Sequence, residues 1–107
     1  MKELDVLYET IVDRKANPEE GSYTTYLFQK GLDKILKKVG EECTEVVIAS
    51  LSQGKEDLVN EFGDLFYHLV VLMVEKGISL QEVNAELEKR SGKTHNLKAE
   101  RKPIENL

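Results

Sequence analysis

The sequence predicts an all-α fold, a bundle of four to five helices. Apolar residues recur three and four apart through several separate stretches, which is the helical period. Only two prolines and seven glycines interrupt 107 residues, so long segments are free to be helical. The interruptions also fall between the periodic stretches rather than inside them, as Asn17-Pro18, Gly31, Gly54, Gly77 and Gly92.

The first helix is expected over residues 2–16, where Leu4, Leu7, Tyr8, Ile11 and Val12 share a face and Asn17-Pro18 ends it. Residues 18–22 read as a loop, with Ser22 as the N-cap of a short helix from Tyr23 to Lys30. A long helix is expected over residues 33–53, with a seam of Leu36, Val39, Cys43, Val46 and Ser50, the cysteine as core filler and Gly54 as its C-terminal glycine. The next spans residues 56–76, with Leu58, Phe62, Leu65, Phe66, Leu69 and Met73 inward. Ser79-Leu80-Gln81-Glu82 is a capping-box pattern opening a last helix that closes near Arg90 and Gly92. Residues 93–107 read as an irregular tail of a single domain, 1–107. In the long helix before Gly77, Tyr67, Val70, Val71 and Val74 add apolar surface away from the Phe62 seam. A helix apolar nearly all round needs cover on both sides, so a homodimer with Val71 in its interface is expected.

Composition narrows the function. A net charge of −5 disfavours nonspecific nucleic-acid binding. No apolar run approaches the roughly 20 residues of a membrane span. One cysteine forms no internal disulfide, and the acidic start is unlike a signal peptide, so a cytoplasmic, reducing setting is expected.

Four carboxylates carry the chemistry. Glu42 and Glu45 lie about 60° apart on one long helix, and Glu61 and Asp64 have the same spacing on the next. The two helices are joined through Gly54, so they pack antiparallel and the pairs meet at one height. Four converging carboxylates repel unless a cation intervenes, and Mg²⁺ suits an all-oxygen donor set in a chain without a thiolate cluster. Acids on helices are usually only solvated, but two register-matched pairs beside a core seam favour a site.

Around them, Glu41 is a base, an outer group or merely solvated. Lys38, one turn before Glu42, either reaches a phosphate or pairs with Glu42, and Lys34 makes a weaker case. Ser22, Tyr23 and Thr24 at a helix start offer donors to phosphate or ribose, with plain N-capping the bland alternative for Ser22. His68, on the same stripe as Asp64, either orients that carboxylate from outside or is a structural helix histidine. Arg90 and Lys93 are candidate phosphate contacts, or a solvated helix end.

Lys38-Val39-Gly40-Glu41-Glu42-Cys43-Thr44-Glu45 followed by Glu61-Phe62-Gly63-Asp64 resembles the ExxE…ExxD signature of the MazG-like all-α nucleoside triphosphate pyrophosphatases. The flanks are more specific. Pro18-Glu19-Glu20-Gly21-Ser22-Tyr23-Thr24, Asp64-Leu65-Phe66-Tyr67-His68-Leu69 and Glu86-Leu87-Glu88-Lys89-Arg90 resemble the phosphoribosyl-ATP pyrophosphohydrolases, over roughly residues 12–101. That family more often has alanine at the positions of Cys43 and Gly63, and the tail from Ser91 fits it only loosely. The resemblance implies an intertwined helical dimer that hydrolyses phosphoribosyl-ATP to phosphoribosyl-AMP and pyrophosphate, the second step of histidine biosynthesis. Some relatives are fused to phosphoribosyl-AMP cyclohydrolase, but 107 residues with one cysteine lack the length for it, so the cyclohydrolase is expected on a separate chain. Two other readings stand beside it. One is a house-cleaning (deoxy)nucleoside triphosphate pyrophosphatase, which would have no evident use for the residue 18–24 loop. The other is a non-enzymatic helical interaction module, which would not respond to magnesium.

Overall fold

A computed structural model describes residues 1–52, 54–93, 95 and 97. Five helices follow one another along these residues: α1 (Lys2–Ala16), α2 (Tyr23–Lys30), α3 (Leu32–Ser52), α4 (Lys55–Glu75) and α5 (Leu80–Ser91). Element order and type agree with the sequence reading, and most boundaries move by one residue at most. Gly54 is the exception in role. It is the extended N-cap of α4, at φ −78° and ψ 172°, rather than a left-handed cap of α3. Apart from Lys93, His95 and Leu97, the expected tail lies outside the described residues.

Local chemistry explains the boundaries. α1 carries Glu3 and Asp5 in its first turn and Arg14 and Lys15 in its last, both favourable to the helix dipole. Arg14 then donates to the Asn17 carbonyl at 3.0 Å and pairs with Glu19 at 2.9 Å, holding the chain as it turns. Gly21, at φ +82°, makes the reversal into α2. Ser22 Oγ accepts from the Thr25 N–H, and Ser79 Oγ does the same for Glu82 at the start of α5, so both serines cap as read.

The core is small. Ile11, Leu27, Ile35, Val70 and Val71 bring α1, α2, α3 and α4 together, with Leu4, Leu7, Tyr8, Phe28, Tyr67, Leu72 and Val74 packed around them. No described residue of α5 is buried. A 2.7 Å hydrogen bond from Tyr8 Oη to the Ile78 carbonyl ties α1 to the chain entering α5.

Both long helices are rotated from the expected seams, although Val39, Val46, Leu58, Leu65, Leu69 and Met73 of those seams are half-buried. The buried residues of α3 are Ile35, Glu42 and Ala49, seven apart. The true seam is therefore displaced by one residue, about 100°, from the Leu36–Cys43–Ser50 line. Leu36, Cys43 and Ser50 are exposed, so the cysteine does not fill a core. On α4, Phe62 and Phe66 are 42% and 38% exposed, whereas Val71 is fully buried against Ile11, Leu27 and Ile35. Val71 therefore belongs to the protomer's own core, and the dimer contact expected of it is withdrawn. The physical reason lies in which polar residues sit inside. Glu42 and His68 are 8% and 5% exposed, so a reading that sends polar residues outward turns each helix the wrong way.

Candidate functional site

Glu42 projects from α3 toward α4, where Glu61 and Asp64 lie one turn apart. One oxygen of each carboxylate falls within 4.8 Å of the others. Among the described residues this is the one such group of potential metal ligands. The three acids line an open cleft of about 460 Å³ with Lys38, Glu41, Thr44 and Glu45. Glu45 thus shares the cleft, although its carboxylate stands outside the close set of three.

The electrostatics are those of crowded like charge. Partial burial pushes the Glu61 carboxyl above its ordinary pKa, and the neighbouring charges of Asp64, Glu45, Glu42 and Asp57 push the same way. Lys38 is the local counter-charge. Its Nζ lies 3.2 Å from Glu41 Oε2 and 3.5 Å from Glu42 Oε1. The hydrogen bond to Glu41 raises the Lys38 pKa and lowers that of Glu41. Exposed and held by Lys38, Glu41 is a weaker base than an unpaired carboxylate would be. One ammonium does not balance this many carboxylates. Hard oxygen donors, with no thiolate or imidazole among them, are the donor type that Mg²⁺ takes.

Beside the cleft, the start of α2 is tied to α4 by two adjacent hydrogen bonds. Tyr23 Oη lies 2.9 Å from His68 Nε2, and Thr24 Oγ1 bonds Tyr67 Oη. His68 Nδ1 is 2.7 Å from the Asp64 carbonyl. A carbonyl only accepts, so Nδ1 carries the proton and Nε2 of the neutral ring accepts from the tyrosine. His68 therefore meets Asp64 through the main chain, not through the carboxylate it was expected to orient. Burial raises the Tyr23 pKa, with Lys38 opposing, which keeps the phenol protonated. Burial likewise raises that of Tyr67, against the pull of Thr24.

Tyr23 also stacks between Tyr26 and Tyr67, at centroid distances of 6.0 and 6.1 Å. Lys34 Nζ sits 5.9 Å over the Tyr26 ring. A second cleft, of about 640 Å³, opens on the loop side of the same tyrosine and runs along residues 18–23 to Gln29. Arg90 is engaged by Glu86 at 2.8 Å on the surface of α5. Neither Arg90 nor Lys93 lines the carboxylate cleft.

Comparison with known proteins identifies the family. Residues 4–91 match the family described as phosphoribosyl-ATP pyrophosphohydrolase. The chain belongs to that family. A Clostridium acetobutylicum protein named phosphoribosyl-ATP pyrophosphatase is 60% identical over 104 residues, 97% of this chain and 94% of its own length. Proteins of the same name from Listeria welshimeri and Lactiplantibacillus plantarum are 61% and 53% identical. The alignments cover 97% of this chain and 99% of the Listeria protein, and the whole of both chains in the other. Sequence reasoning overlooked the tie between α2 and α4. A signal was present, since His68 stands seven residues from Glu61 on one stripe and Tyr67 beside it carries a second polar tip.

Proposed function

We propose that this chain hydrolyses the α–β phosphoanhydride of phosphoribosyl-ATP, giving phosphoribosyl-AMP and pyrophosphate, in a Mg²⁺-dependent step of histidine biosynthesis. The observation that carries the reading is the convergence of Glu42, Glu61 and Asp64 from two helices within 4.8 Å at an open cleft. These three would hold Mg²⁺, with Glu45 on the same wall able to take a further position. Bound there, the ion supplies charge neutralisation to the phosphate oxygens and a lowered pKa to the attacking water.

The remaining residues handle the substrate. Lys38 holds its ammonium at the rim of the cleft, where an arriving phosphate competes with Glu41 and Glu42 for it. The stretch from Gly21 to Tyr23 bounds the second cleft and offers backbone and hydroxyl donors to the phosphorylated ribose that distinguishes this substrate from ATP, with Thr24 beside it bonded to Tyr67. The Ser22 hydroxyl is already accepting a capping bond and remains free to donate.

The active form is a homodimer. Among the apolar side chains a single protomer leaves exposed, Leu36, Val47, Ile48, Leu51, Val59, Phe62 and Phe66 lie on α3 and α4. A second copy is their natural cover. The exposed thiol of Cys43 suits a reducing cytoplasm, and among the described residues no helix is long and apolar enough to cross a membrane.

Product analysis tests the proposal. Phosphoribosyl-ATP and a panel of nucleoside triphosphates are incubated with the protein, with and without Mg²⁺. Pyrophosphate released from phosphoribosyl-ATP only with the metal is the expected result. Faster turnover of plain triphosphates would assign the chain to housekeeping, and no turnover of any would leave it without an enzymatic role.

A further inference from the structure

We infer that His68 and Tyr23 form a positioning pair, which fixes the substrate-gripping start of α2 against the helix that carries Glu61 and Asp64. The inference rests on the proposed function and adds to it a mechanical link between its two halves.

The link is continuous from the cleft to the start of α2. Asp64 lies on α4, its carboxylate in the cleft and its carbonyl receiving the His68 Nδ1–H at 2.7 Å. The same ring accepts the Tyr23 hydroxyl at 2.9 Å through Nε2. Tyr23 is the first residue of α2, directly after the Ser22 cap. Thr24 repeats the connection one residue on, to Tyr67. His68 is 5% exposed, so solvent does not easily replace the tyrosine if it leaves. Tyr23 and Tyr67 also meet His68 edge to face, at 5.7 and 5.0 Å between centroids, which narrows the orientations open to the ring. Leu27 and Phe28 seat the body of α2 on the core, and the bonds of Tyr23 and Thr24 set how its first turn meets α4.

His68 acts through its neighbours and touches no reacting atom in this scheme. Its effect should appear in capture of the far end of the substrate. If the α2 start is correctly placed only a fraction of the time, apparent affinity falls by that fraction.

Two substitutions dissect the ring. Asparagine keeps a donor near the place of Nδ1 and cannot reach Tyr23. Glutamine sets its amide near the place of Nε2 and preserves the partner of Tyr23. Tyr23→Phe removes the hydroxyl alone and retains the stacking. Steady-state hydrolysis of phosphoribosyl-ATP is measured for these three variants and the wild type, with Mn²⁺ affinity by electron paramagnetic resonance and melting temperature alongside. Tyr23→Phe and His68→Asn are expected to raise KM roughly tenfold, the equivalent of one lost buried hydrogen bond. In both, kcat and Mn²⁺ affinity should stay within about twofold. His68→Gln should lie closer to the wild type, and Tyr23→Phe added to His68→Asn should cost no more than either alone.

Unchanged KM in Tyr23→Phe would overturn the inference. So would losses that fall equally on KM, kcat and Mn²⁺ affinity and follow the melting temperature, since those mark a merely structural role. A wild type unable to cleave phosphoribosyl-ATP would instead refute the functional reading beneath, and this inference with it.

Discussion

The two faces of α4 are separable by mutation, and Val71 is the sharper test. Its side chain is fully buried among Ile11, Leu27, Ile35 and Val70. Val71→Ala removes two methyl groups, worth about 1.6 kcal/mol in transfer at ~0.8 each. The space left, roughly 40 Å³ if the surroundings hold, adds about 1 kcal/mol at ~24 cal/mol per Å³. A loss of about 2.5 kcal/mol in a domain of this size lowers the melting temperature by roughly 10 °C. Urea unfolding followed by circular dichroism measures the loss, and light scattering measures the mass. Val71→Ala is expected to move the unfolding midpoint without changing the mass. Phe62→Glu, on the exposed face, is expected to do the reverse: its mass falls to that of a single chain while helix content is kept. A Val71→Ala protein that melts like the wild type but dissociates would return Val71 to the interface and refute the packing described here.

Three further outcomes are expected. Glu42→Gln and Asp64→Asn each abolish turnover of phosphoribosyl-ATP with far-ultraviolet circular dichroism unchanged; retained activity in either removes that residue from the site. Magnesium raises the melting temperature of the wild type, by linkage worth about 2.7 kcal/mol at a hundredfold excess over Kd, and does little for either variant; an equal response from all three proteins would place the ion elsewhere. Ser22→Ala combined with Thr24→Val raises KM for phosphoribosyl-ATP far more than it slows any residual hydrolysis of ATP. Equal losses on both substrates, tracking a lower melting temperature, would reduce the segment to capping and packing.

Much of the fold is written locally, and those parts were legible. The Ser22 and Ser79 caps, the stop at Asn17-Pro18 and the helical periods each depend on neighbouring residues alone. The register of Glu42 with Glu61 and Asp64 was legible for a related reason. A tight connection between two helices fixes which turns face each other. What failed was the rotation of those helices. Hydrophobic patterning assumes that polar residues face water, and at Glu42 and His68 the chain breaks that assumption where its site is built. The misplacement of Leu36 and Phe62 follows from those two residues. The bond from Tyr23 to His68 joins positions 45 apart and has no local signature, so only the folded chain shows it.

A glutamate on the stripe between Ile35 and Ala49 also bears on how the protein responds to improvement. Leucine at position 42 would remove one of the crowded carboxylates and extend the apolar seam, so a selection that rewards heat tolerance alone would favour it. The winners of such a selection would be sturdier bundles with a broken cleft. Variant libraries of this chain therefore need a catalytic screen from the first round, and a gain in melting temperature that maps to position 42 is a warning rather than a success.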